Sequence, residues 1–185
     1  MTSKTRSRRE SVLRSLYSSK SGLIVHCSAV ENSGDAFVFA GTSDVGKSTL
    51  AKKLSKKMTV INDDMNVLRF SDDGILVSTY FTQEENKGYH YLINENTTGT
   101  LKAFLFPEKE LEKESYIEQV LDKGLAWKRL LSCTAPPLKG EDELFSNYLE
   151  MVERLLVSVP FFSIHHNLND SPEFVREILM SMDSC

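Results

Sequence analysis

"FVFAGTSDVGKSTLAKKL", Phe37 to Leu54, decides how this chain is read. It opens with an apolar run, Phe37–Ala40, of a length that suits a strand buried on both faces. A loop opened by Gly41 and closed by Gly46 follows. Lys47, Ser48 and Thr49 lead into a helix-like tail with Leu50 and Leu54 on one face. The segment Gly41-Thr42-Ser43-Asp44-Val45-Gly46-Lys47-Ser48 matches the phosphate-loop pattern G-x-x-x-x-G-K-[ST]. The glycines let the backbone curl until successive N–H groups point at one anion. The helix after the loop adds its unpaired N–H groups and partial positive charge. Lys47 supplies a full charge for the outer phosphates, and Ser48 a hydroxyl for Mg²⁺. Asp44 is the unusual member: a carboxylate repels phosphate unless it points away, though Asp tolerates the left-handed backbone a tight loop needs.

Working outward, Met58–Ile61 reads as the next strand, and "VINDDMNVL" sets Asp63 and Asp64 at its end. In open α/β sheets ligands sit beyond the carboxyl ends of strands. If this strand lies beside the loop's own strand, the doublet faces the outermost phosphate. One carboxylate would hold Mg²⁺, and the other would accept a hydroxyl proton. Upstream, "LIVHCSAV" carries His26 on a β-like stretch. "ENSGD", Glu31 to Asp35, is turn chemistry that folds this stretch back toward the loop. A partly protonated imidazole brought there would steady phosphate charge.

The remaining chain reads as one α/β domain over residues 21–185, preceded by a basic segment over residues 1–20 that is helical or frayed. That segment carries Lys4, Arg6, Arg8, Arg9, Arg14 and Lys20 without interleaved aromatics, so no nucleic-acid partner is expected. Val67–Phe70 and Ile75–Thr79 flank "SDDG" as a hairpin. Tyr89–Ile93, Leu101–Phe106 and Val159–Ile164 read as strands. "EKESYIEQVL" and "LAWKRLLSC" read as helices broken at Gly124. Glu141–Val157 is the longest helix candidate, and Ser171–Pro172 starts a last one. Trp127, Phe104, Phe106, Phe161 and Phe162 read as packing residues. His165 and His166, adjacent on a strand end, point apart and lack a third metal ligand. The charge of −4 does not suit a general polyanion binder. No apolar run is long enough for a bilayer, and the three cysteines show no pairing or metal spacing. The expectation is a cytoplasmic protein with free thiols and no membrane partner.

"VHCSAVENSGDAFVFAGTSDVGKSTL" together with "VINDDMNVL" resembles the catalytic domain of the bacterial HPr kinase/phosphorylase family, and more closely its shorter HPr-kinase-like members. The likeness runs over most of the chain, from Ser21 to Met182, with its specific motifs in the first third. It implies a phosphoenolpyruvate-carboxykinase-type fold: a mixed, phosphate-loop-containing β-sheet flanked by helices. By position it gives Lys47 to phosphate, Ser48 and Asp63 to metal, Asp64 to general-base work, and His26 to the phosphate site. The Arg/Asn-rich C-terminal signature of the bifunctional enzymes is missing, so phosphorolysis and HPr as acceptor do not carry over. Glu84, Glu85 and Glu95 are further metal-ligand candidates without a motif. Such relatives also assemble, which leaves room for a homo-oligomer.

The expected function is an ATP- and Mg²⁺-dependent kinase. Its site comprises Gly41, Thr42, Ser43, Asp44, Val45, Gly46, Lys47, Ser48 and Thr49 for the nucleotide, with Asp63, Asp64 and His26 for metal and chemistry. The acceptor would be a serine-type hydroxyl on a protein, peptide or small molecule. ATP is preferred to GTP because no N/T-K-x-D base-reading motif occurs. Two alternatives stay open: a nucleotide sensor without transfer activity, and a nucleotide hydrolase.

Overall fold

Ser33 and Gly34 take positive φ, 56° and 95°, and turn strand β1 (Gly22–Asn32) back onto β2 (Asp35–Ala40). The "ENSGD" chemistry thus forms the hairpin its residues suggest. The computed structural model describes residues 3–80 and 93–184. A first helix, α1 (Ser3–Ser18), precedes the hairpin. After it come α2 (Lys47–Leu54), β3 (Thr59–Asn62), β4 (Met65–Ser71), β5 (Gly74–Thr79), β6 (Gly99–Glu110), β7 (Tyr116–Gln119), α3 (Lys123–Cys133), α4 (Asp142–Ser158), β8 (Phe161–Asn167) and α5 (Pro172–Met180).

The result is a mixed α/β architecture whose sheet is mostly antiparallel, with flanking helices. The strands run β2-β1-β4-β5-β6-β8-β7, and β3 joins the side of β1. Only β2 with β6 and β6 with β8 pair in parallel. Because β6 pairs with both β5 and β2, the strands β2, β1, β4, β5 and β6 form a closed circuit.

Two apolar layers cover the sheet. Leu13, Leu16 and Tyr17 of α1, Leu130 of α3, and Tyr148, Met151, Val152 and Leu155 of α4 pack on one side. Leu50 and Leu54 of α2, with Val175 and Leu179 of α5, pack on the other. β2 shows why its sequence is continuously apolar: Ala36, Val38 and Ala40 join the first layer, Phe37 and Phe39 the second. Each fully buried Leu or Phe contributes roughly 1.5–3 kcal/mol. Trp127 is only half-buried, at the margin of the first layer. The capping chemistry of the last helix is as the sequence suggests: Ser171 Oγ accepts from Phe174 N at 3.1 Å, with Pro172 in the first turn.

Three expectations need correction. "EKESYIEQVL" is not a helix: Tyr116–Gln119 forms edge strand β7, antiparallel to β8. Ile117 packs into the second layer while Tyr116 stacks flat on His165 across the other face, with ring centroids 4.3 Å apart. That two-sided pairing outweighs the helix propensity of the glutamates and lysine. Gly124 does not break a helix either. Asp122 accepts from Gly124 N and Leu125 N and so starts α3 just before it. Finally, β3 does not lie beside the loop's strand β2; it pairs with β1, which stands between them. The expected strand at 89–93 falls, apart from Ile93, outside the described residues, as do Glu84 and Glu85. No helix among the described residues is long and apolar enough to cross a membrane.

Candidate functional site

The loop from Gly41 to Gly46 joins β2 to α2. Gly41 (φ 153°), Asp44 (φ 66°) and Gly46 (φ 102°) all adopt left-handed conformations, so the backbone curls tightly between them. Asp44 thus occupies a position where Asp is tolerated better than most side chains. Gly46 is glycine for a second reason. A Cβ there would lie 2.4 Å from His166 Nε2. α2 begins directly after it with no side-chain cap, leaving its first N–H groups to the cleft.

Lys47 is 6% exposed, and its ammonium is folded back onto the loop, donating to the carbonyls of Gly41 (3.0 Å) and Thr42 (2.8 Å). Burial pushes its pKa down, opposed by neighbouring acidic groups that include Asp64 and Asp44. Thr42, Ser43, Asp44, Ser48 and Thr49 are exposed, and Val45 is half-buried. A cleft of about 250 Å³ opens here, lined by Asp44, Gly46, Lys47, Ser48, Thr49 and Lys109.

The acidic doublet arrives from the far side of β1. Ser48 Oγ donates to the Asp63 carbonyl at 3.3 Å, and Ser28 Oγ donates to the same oxygen at 3.0 Å. Two buried asparagines shape the turn. Asn62 Oδ1 accepts from Asp64 N at 2.9 Å, while its Nδ2 donates to the Met65 carbonyl and to Thr79 Oγ1. Asn66 Nδ2 donates to the carbonyls of Cys27 and Asn62. Asp64 is held so that its Oδ1 lies 3.4 Å from His26 Nε2. Asp63 itself is buried.

The loop and the doublet thus meet through Ser48 and the Asp63 main chain, with His26 beside Asp64; none of Asp63, Asp64 and His26 lines the cleft, and β1, not β3, borders the loop's strand. Four residues were not singled out for this site: Lys109, His166, Asn62 and Asn66. His165 and His166 do point apart. His165 Nε2 faces Glu118 on one side of the sheet, and His166 lies against the loop on the other. Strand alternation separates the two histidines, but no local signal says which side the loop occupies. Among the described residues, no group of three or more His, Cys, Asp or Glu is placed to hold a metal ion.

No protein-family model and no curated protein matches the chain. Among solved structures, that of the Hpr(Ser) kinase/phosphatase from Coxiella burnetii overlays 71% of this chain and 90% of its own, with 12% identity and a TM-score of 0.35. So loose an overlay says nothing about activity here; what the site can do follows from its own residues.

Proposed function

We propose that the chain is an HPr-kinase-like phosphotransferase of the phosphoenolpyruvate-carboxykinase-type fold, moving the γ-phosphoryl group of ATP to a hydroxyl acceptor. The observation that carries this reading is the meeting of loop and doublet: Ser48 Oγ bonds the Asp63 main-chain carbonyl while Asp64 stands beside His26. The motif at 41–48 supports nucleotide binding, and the curled backbone fits an anion.

The residues have separable roles. The amides of the loop and of the first turn of α2 cradle the phosphates. Lys47 leaves the carbonyls of Gly41 and Thr42 for the outer phosphate oxygens. Asp64 takes the proton of the acceptor hydroxyl as the new O–P bond forms and the γ-phosphorus–oxygen bond breaks, releasing ADP. His26 positions the Asp64 carboxylate and steadies charge beside it. Mg²⁺ would be held by Ser48 and Asp63 and, when bound, neutralises phosphate charge. Both residues carry hard oxygen donors of the kind that ion takes, and it keeps several waters and substrate oxygens. The buried, unpaired thiols of Cys27 and Cys133 fit a reducing, cytoplasmic setting.

A second reading, a nucleotide-binding module without transfer chemistry, is favoured by Asp44, an acidic residue among those lining the cleft. Labelled ATP, presented with candidate peptides and metabolites, separates the readings. Label moved to an acceptor supports the kinase; intact ATP with every acceptor supports the module; free phosphate without an acceptor supports a hydrolase.

A further inference from the structure

Strand β8 ends under the loop. His166, on β8, is 1% exposed, and its Nε2 lies 3.4 Å from the Val45 carbonyl oxygen. The ring also fills the space a Gly46 side chain would need, 2.4 Å from Nε2 and 2.8 Å from Cε1. Its place is fixed from outside the loop. Lys53 of α2 donates to the carbonyls of Asn167, Leu168 and Asp170, tying the helix after the loop to the chain just beyond β8.

The contact defines a tautomer. Val45 presents only carbonyl lone pairs, so the proton belongs on Nε2, which donates to that oxygen. Nδ1 is then left as a buried acceptor without a partner among the described residues. Burial, with Lys53 and Lys109 adding to it, lowers the ring's pKa against the pull of the Val45 carbonyl, which keeps the ring neutral.

A trans peptide sets its C=O and the following N–H in opposite directions. The Val45 carbonyl points down at His166, so the Gly46 N–H of the same peptide points up into the cleft. That N–H has no acceptor in the chain among the described residues. We propose that His166 is a positioning residue of the phosphate loop, holding the Val45–Gly46 peptide in the orientation that presents the Gly46 amide to an incoming phosphate. This rests on the phosphate-binding reading of the loop and adds a residue to it. Imidazole below and anion above grip the two ends of one peptide. Without the imidazole that peptide is free to rotate and aim its carbonyl at the anion.

The test uses His166→Ala, His166→Gln and Gly46→Ala, alone and in pairs, with Mg-ATP and inorganic tripolyphosphate as titrants and far-UV circular dichroism as the fold control. His166→Ala is expected to weaken both ligands roughly tenfold, the scale of one charge-assisted hydrogen bond. His166→Gln, whose amide also donates, restores most of that loss. Gly46→Ala costs less in the His166→Ala background than in the parent, because the ring it strikes is gone. The amide NMR signal of Gly46 in the ligand-free protein shifts in His166→Ala and stays near the parent position in His166→Gln. Parent-like affinity and an unmoved Gly46 signal in His166→Ala, or strictly additive losses with Gly46→Ala, would overturn the proposal. If the parent binds neither titrant, the function reading fails, while the ligand-free Gly46 signal still decides whether His166 sets the peptide.

Discussion

His26 Nε2 lies 3.4 Å from Asp64 Oδ1, and the next residue's amide, Cys27 N, donates to the Asp64 carbonyl at 2.9 Å. Strand β1 thus fixes the Asp64 backbone through Cys27 and places the His26 ring beside its carboxylate.

Asp64→Asn keeps the shape and removes the proton acceptor. Transfer from labelled ATP should fall roughly 100-fold or more, while calorimetry finds nucleotide affinity close to that of the parent. Transfer at the parent rate would remove Asp64 from the mechanism.

Lys47→Ala addresses binding and not chemistry. Mg-ATP at ~100 times its dissociation constant should stabilise the parent by about 2.7 kcal/mol in thermal or urea unfolding. The variant should lose most of that gain. An undiminished shift would mean the nucleotide binds somewhere other than the loop.

Asn62 is fully buried and bonds Asp64 N, Met65 O and Thr79 Oγ1. Asn62→Ala leaves buried groups unpaired, and urea unfolding should show a loss of about 1–3 kcal/mol. Transfer should fall as well, since the same amide fixes the turn that carries Asp64. A fully stable, fully active variant would show the turn to be set by other contacts.

The neutral His166 makes stability depend on pH with a definite sign. Its folded pKa lies below the ordinary 6.5, burial being the main cause. Below 6.5 the unfolded chain therefore binds more protons than the folded one. Stability from this residue is complete above 6.5 and drains away as pH falls toward the depressed folded value. Urea midpoints compared at about pH 7.5 and about pH 5.5 should drop more for the parent than for His166→Gln, the difference isolating the imidazole. Equal drops would show that the ring accepts a proton in the fold without cost.

How far the sequence reaches can be judged residue by residue. The loop, the hairpin at Ser33–Gly34, the "SDDG" hairpin and the Ser171 cap were legible, because each depends on backbone conformations that its own residues favour. The doublet was legible as a pair but not its route to the loop: β3 pairs with β1, and pairing partners are set by long-range packing. Tyr116–Gln119 misled for the same reason, since its local propensity is helical and its edge pairing decides otherwise. From sequence, His166 is one of two adjacent strand-end histidines without a third metal ligand. Its significance lies in what packs above it, Gly46, and no spacing rule joins positions so distant in the chain.

The three carbonyls that receive the Lys53 ammonium have a consequence for anyone dividing this chain. A fragment stopping short of Phe161 would retain every motif residue from His26 to Asp64 and still lack the underpinning of its own loop. The signature lies in the first third of the chain, and the strand packed beneath its loop lies in the last.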